Sequence, residues 1–100
     1  MDSIPHVLAC DVGNTAIHLA TVQGDTVSQM HTLRFGELAN LSAELKTLWE
    51  SIPDPKKLLA CSVNPAGLKA LEAAALEAID AHVLVVGRDL PLPMKTALRW

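Results

Sequence analysis

Aromatic residues are nearly missing from this 100-residue chain, which has two Trp, one Phe and no Tyr. Leu, Val, Ile and Ala must therefore fill its core. An excess of positive charge is missing too: 8 Lys and Arg stand against 11 Asp and Glu, a net charge of −3. That balance gives no general attraction to nucleic acid or to anionic lipid, so neither is expected as a partner. The adjacent pair Lys56-Lys57 reads as a solvated loop. No apolar run approaches the roughly 18–20 residues of a transmembrane helix. The start, Met1-Asp2-Ser3-Ile4-Pro5-His6, lacks the basic segment of a signal peptide. Cysteine is scarce, and Cys10 and Cys61 fall in separate apolar runs with no CxxC spacing. They read as buried free thiols of a reducing cytoplasm, neither of them a nucleophile. His6, His31 and His82 lie in separate elements without ligand spacing, so no zinc site is expected.

What is present suits one small globular domain. Half of the residues are hydrophobic, and the length allows one compact core but not two. His6–Val12 is almost continuously apolar, as in a central strand covered on both faces. Gly13-Asn14 and Gly24-Asp25 are short-hairpin signals, because glycine tolerates the positive φ of primed turns. They predict a three-stranded meander over 6–12, 15–23 and 26–34. From Gly36 the period changes: Leu38, Leu41, Leu45, Leu48, Trp49 and Ile52 mark one helical face, ended by Pro53 and Pro55. Leu58–Val63 reads as a short strand, and Asn64-Pro65 as a cap followed by proline at the first helical position. That helix runs from Ala66 to about Asp80, and Val83–Val86 is a last short strand stopped by Gly87. The order is β-β-β-α-β-α-β, an α/β fold. Beyond Gly87, Asp89-Leu90-Pro91-Leu92-Pro93 is expected to be extended. The abrupt end at Trp100 suggests a fragment of a longer protein.

The segment with chemical content is Asp11-Val12-Gly13-Asn14-Thr15, set between the apolar runs Val7–Cys10 and Ala16–Ala20. It puts a carboxylate at the end of a buried strand, then a tight turn, then a hydroxyl. Backbone N–H groups and the Thr15 hydroxyl can bend around a phosphate, while Asp11 holds a phosphate-bound Mg²⁺ or orients its water. The same residues also suit a plain hairpin turn, since Gly and Asn favour turns on backbone grounds alone. His18 alternates with apolar neighbours and reads as a partly exposed sheet residue, Trp49 as core, and Asn64 as a helix cap.

A meander followed by helix–strand–helix–strand resembles the ribonuclease H-like half-domain of the acetate kinase, sugar kinase, Hsp70 and actin superfamily. Within it, Leu8-Ala9-Cys10-Asp11-Val12-Gly13-Asn14-Thr15 is similar to the opening of type III pantothenate kinases, whose signature is D-x-G-N-T. Cys61-Ser62-Val63-Asn64-Pro65 resembles their S-S-V-V-P segment more loosely, and Val83–Gly87 their fifth strand. Arg99-Trp100 falls where the family usually carries an aromatic residue in the pantothenate pocket. One departure stands out: the position three residues past the motif's Thr, often Lys in the family, is His18 here. A histidine would supply a weaker, pH-dependent charge or none.

The resemblance implies a mixed sheet of three antiparallel and two parallel strands over residues 1–87. Residues 88–100 would be an extended linker to a catalytic segment and a second half-domain. It implies ATP with its phosphates along Asp11, Val12, Gly13, Asn14, Thr15, Ala16, Ile17 and His18, and Mg²⁺ at Asp11. Trp100 would touch the pantothenate substrate. It further implies a monovalent cation, K⁺ or NH₄⁺, a homodimer, and a place in coenzyme A synthesis in the cytoplasm. The family's catalytic Asp, in a G-x-D-R segment, would fall beyond Trp100, so this chain alone should not turn over substrate. Two alternatives share the fold: a nucleotide-binding regulator without activity, and a free-standing interaction domain.

Overall fold

The apolar run at the N-terminal end becomes the centre of a six-stranded mixed sheet. A computed structural model describes residues 6–24, 26–28 and 30–89. Strand β1 spans His6–Val12, β2 Ala16–Gln23, β3 Thr26–Val27, β4 His31–Arg34, β5 Lys56–Ser62 and β6 Leu84–Val85. Helix α1 spans Leu41–Glu50 and α2 Pro65–Ile79. The sheet order is β3-β2-β1-β5-β6, with β4 also paired to β2. β1 and β2 are antiparallel, whereas β5 runs parallel to β1 and β6 parallel to β5. The predicted element order holds.

The third strand differs from expectation by being broken in two. Val22 pairs with Val27, but Leu19 pairs with His31, so three residues of the third strand face two of β2. Ser28 is the cause: its hydroxyl accepts the Thr21 N–H at 2.8 Å, and its own N–H donates to the Thr21 carbonyl at 2.8 Å. A short polar side chain that takes a ladder donor leaves the following residues out of register. Gly24, the first residue of that hairpin's loop, has φ 60°, as a primed turn requires.

The helix expected from Gly36 begins as a 3-10 turn over Phe35–Asn40 and becomes α-helical at Leu41. Glu37 explains the delay, with φ −111° and its carboxylate accepting the Arg34 N–H at 3.0 Å. At the other end Lys56 is not a solvated loop residue. Its ammonium donates to the carbonyls of Trp49 at 2.8 Å and Ile52 at 3.3 Å, and lies 4.7 Å from the Trp49 ring centroid. It thus donates to one carbonyl in the last turn of α1 and to one just past its end, while Lys57 is exposed.

Side-chain alternation decides the layers. Leu8, Cys10 and Val12 of β1 join Ile17, Leu19, Leu58 and Ala60 in the core, where Leu41, Leu45, Leu71 and Ala75 of the two helices meet them. The close approach of α2 depends on Gly67: a Cβ there would lie 2.8 Å from Val12 Cγ1 and 3.0 Å from Phe35 Cζ. The opposite sheet face carries Ala9, Asp11, His18, Ala20 and Cys61 by the same alternation. Among the described residues no helix packs on it, although Ala9 and Ala20 are buried there.

Candidate phosphate-binding site

Asp11 ends the β1 face that turns away from the helices, just before the first hairpin turns. Its register partners are His18 on β2 and Cys61 on β5. Thr32 of β4 pairs in turn with His18, so Thr32, His18, Asp11 and Cys61 form one row across four strands. The His18 ring is tied at one end, Nδ1 to Thr32 Oγ1 at 2.9 Å. Among the described residues the Asp11 carboxylate has no hydrogen-bond or ion-pair partner, although it is only half-exposed. Burial, then the Asp11 charge, pushes the Cys61 thiol up from its ordinary range. Burial alone does so for Cys10. Both thiols are held protonated, and neither has the thiolate character of a nucleophile. Cys61 is half-buried rather than buried.

The turn itself is held from three sides. The Gly13 N–H donates to the Ala16 carbonyl at 2.9 Å, and the Phe35 N–H donates to the Thr15 carbonyl at 3.2 Å. Asn64 caps α2 by accepting the Gly67 N–H at 3.1 Å, and its Nδ2 donates to the Gly13 carbonyl at 3.3 Å. What these contacts leave over are donors. Among the described residues the N–H groups of Asn14 and Thr15, the Thr15 hydroxyl and the Asn14 amide have no partner, and both residues are exposed.

Gly13 does not use the positive φ that the sequence reading gave it; among the described glycines only Gly24 and Gly87 do. Nor does packing demand it, since a Cβ would meet only the Ala16 carbonyl oxygen, at an ordinary 3.4 Å. A glycine that neither backbone nor packing needs leaves the strand end bare for close approach from outside.

The structure brings Asp11, Gly13, Asn14, Thr15 and His18 to one end of the sheet. Val12 and Ile17 are fully buried in the core and Ala16 is buried, so what these three offer a ligand is backbone. Trp100 lies outside the described residues, as do the last residues of the segment 88–100. Sequence reasoning missed the second bond of Asn64 and the placing of Thr32 and Arg34 beside the motif. Their pairing register follows from the break at Ser28, which no local signal announced.

Chemically, the arrangement offers fixed amide and hydroxyl donors to an oxyanion, with one free carboxylate alongside. Asp11 fits a hard divalent cation that takes one protein carboxylate and completes its shell with phosphate oxygens and water. Among the described residues no group of three His, Cys, Asp or Glu side chains could hold a metal by itself.

The family model for type III pantothenate kinase matches residues 7–99. The chain belongs to that family. None of the curated proteins matches it. Among solved structures it is similar to T. thermophilus RuvC in complex with a Holliday junction substrate. There the TM-score is 0.59 at 15% identity, over 82% of this chain and 64% of that one. A second Thermus thermophilus RuvC structure gives 0.58 at 18% identity, over 80% and 60%. An exopolyphosphatase-like protein gives 0.50 at 14% identity, over 85% and 33%. The chain thus spans less than two-thirds of the solved relatives it matches. At such identities the likeness shows the fold, which is ribonuclease H-like, and the family's activity is that of a kinase on a small molecule. Among the described residues no helix is long and apolar enough to cross a membrane.

Proposed function

We propose that this chain is the phosphate-gripping part of an enzyme that transfers a phosphoryl group from ATP to pantothenate, the first committed chemistry of coenzyme A synthesis. The observation that carries the proposal is the set of unpartnered donors at Asn14 and Thr15 beside the unpartnered Asp11 carboxylate. Membership of the type III pantothenate kinase family supplies the acceptor.

Phosphoryl transfer is mostly positioning and charge neutralisation. The Asn14 and Thr15 amides and the Thr15 hydroxyl donate to terminal phosphate oxygens, fixing their place before reaction. Asp11 would hold Mg²⁺, which would supply neutralisation of the charge that builds on those oxygens. Asn64 and Phe35 keep the turn from relaxing as it binds. The proton of the acceptor hydroxyl needs a carboxylate base, which this reading places outside the described residues; the chain by itself binds nucleotide without turning it over. Trp100 as a pantothenate contact, a monovalent cation, a homodimer and a cytoplasmic setting belong to the same reading, as does the division at residues 87 and 88. Calorimetric titration with MgATP tests it: wild type binds, and Asp11→Asn loses most of the affinity while its melting temperature holds. Equal binding by both proteins reduces Asp11 to a turn residue and ends the proposal.

A further inference from the structure

The site has one free carboxylate and a histidine, His18, whose Nδ1 is already engaged. A triphosphate bound here needs fixed positive charge from elsewhere. Most cations of the described chain are committed or misplaced. Lys56 closes the end of α1, and Arg88 is paired with Glu72 at 2.8 Å and Asp89 at 2.9 Å. Lys46 and Lys69 stand on the helices, which pack on the other sheet face.

Arg34 is placed differently. It is the last residue of β4, and its register partner is Ala16, the residue directly after Thr15. The next N–H, that of Phe35, is bonded to the Thr15 carbonyl at 3.2 Å, which pins the end of β4 against the turn. Alternation from Leu33, which is in the core, sends Arg34 to the sheet face opposite the helices, with Thr32, His18 and Asp11. Directly paired residues there have Cβ atoms roughly 4.5–5.5 Å apart, well within the length of an arginine side chain. Arg34 is exposed, and among the described residues its guanidinium has no partner. Its nearest acidic neighbour along the chain, Glu37, is occupied by the Arg34 backbone N–H at 3.0 Å.

We infer that Arg34 is a further nucleotide-binding residue, its guanidinium taking a terminal phosphate oxygen of the ATP held by the Asn14-Thr15 turn. The inference rests on the proposed kinase reading and goes beyond it. The planar fork of arginine suits phosphate oxygens, and its charge does not depend on pH in the working range. It would supply what His18 does not.

The test compares wild type, Arg34→Met, Arg34→Lys and Asp11→Asn in the full-length protein, by titration with MgATP and with adenosine. Circular dichroism first confirms that each variant is folded. Arg34→Met should weaken MgATP binding roughly ten- to a hundredfold, the range for a lost hydrogen bond to a charged group. Arg34→Lys should recover part of the loss, and adenosine binding should be the same in all. Unchanged MgATP affinity in Arg34→Met, with Asp11→Asn still impaired, overturns the inference and leaves the kinase reading standing. A wild type that binds no MgATP sinks both.

Discussion

The side-chain amide of Asn64 joins two parts of the chain that lie 51 residues apart: Oδ1 accepts the Gly67 N–H at the start of α2, and Nδ2 donates to the Gly13 carbonyl. One residue thus ends the fifth strand's exit, starts a helix and holds the phosphate turn. The two jobs can be separated. Asn64→Asp keeps an acceptor for the cap but loses the donor and adds negative charge beside the proposed phosphates. It should melt close to wild type and bind MgATP markedly less well. Asn64→Ala loses both jobs and should cost about 1 kcal/mol of stability, the usual value of such a cap. Equal nucleotide affinity for Asn64→Asp and wild type, measured by calorimetry, would show that the bond to Gly13 carries no functional weight.

Thr32 is proposed to act through His18, by fixing the ring so that Nε2 is the atom left free. Thr32→Val keeps the shape and removes the hydroxyl, so MgATP affinity should fall by about fivefold, the equivalent of one ordinary hydrogen bond. Thr32→Ser should bind like wild type. In a His18→Gln background Thr32→Val should have no further effect. An undiminished effect there would mean that the hydroxyl matters to the sheet and not through the imidazole.

How much of this was legible beforehand depends on the kind of signal. The Asp11–Thr15 motif and the apolar run before it are local, and they placed β1 at His6–Val12, as observed. Asn64-Pro65 announced the start of α2, because capping is a one-turn phenomenon. The broken third strand was not legible, because the competition between the Ser28 hydroxyl and the β2 ladder appears only once Thr21 is opposite it. The same holds for Lys56, whose carbonyl partners lie four and seven residues earlier, beyond two prolines. Gly13 was expected to need a positive φ and does not have one. Its φ is ordinary, and what it contributes is the missing side chain.

Gly67 is required by packing, which gives a stability test independent of function. In Gly67→Ala the new methyl would stand 2.8 Å from Val12 Cγ1 and 3.0 Å from Phe35 Cζ. Val12 is fully buried and stiff at χ1, so α2 must move away. Alanine gains about 1 kcal/mol of helix propensity over glycine, while overpacking costs about 1–3 kcal/mol. The variant should therefore be level with wild type at best and destabilised at worst, by up to about 2 kcal/mol. Chemical denaturation that shows it more stable than wild type would mean that the helix slides at no cost. In that event the contact with β1 is not fixed by this residue.

β6 lies at one end of the sheet order, where outward N–H and C=O groups invite pairing with another chain. Val85 does not leave them open. Its N–H donates to Asp89 Oδ2 at 2.9 Å, and its carbonyl accepts the N–H groups of Arg88 at 3.1 Å and Asp89 at 2.8 Å. The Asp89 carboxyl is held below the usual range by its hydrogen bonds with Arg88 and then by the Val85 N–H. A carboxyl whose folded-state value is lowered stabilises fully above its unfolded value, about 3.9, and loses that contribution as pH falls through the folded value. Asp89→Ala should therefore melt lower than wild type at pH 7, and the gap should narrow as pH drops below about 4. At neutral pH the variant should also self-associate at concentrations where wild type does not, because the Val85 N–H is exposed for strand pairing. Thermal melts at pH 7 and pH 3, with light scattering at neutral pH, check both points. A gap of constant size across that range would show that the charge on Asp89 does not close the edge.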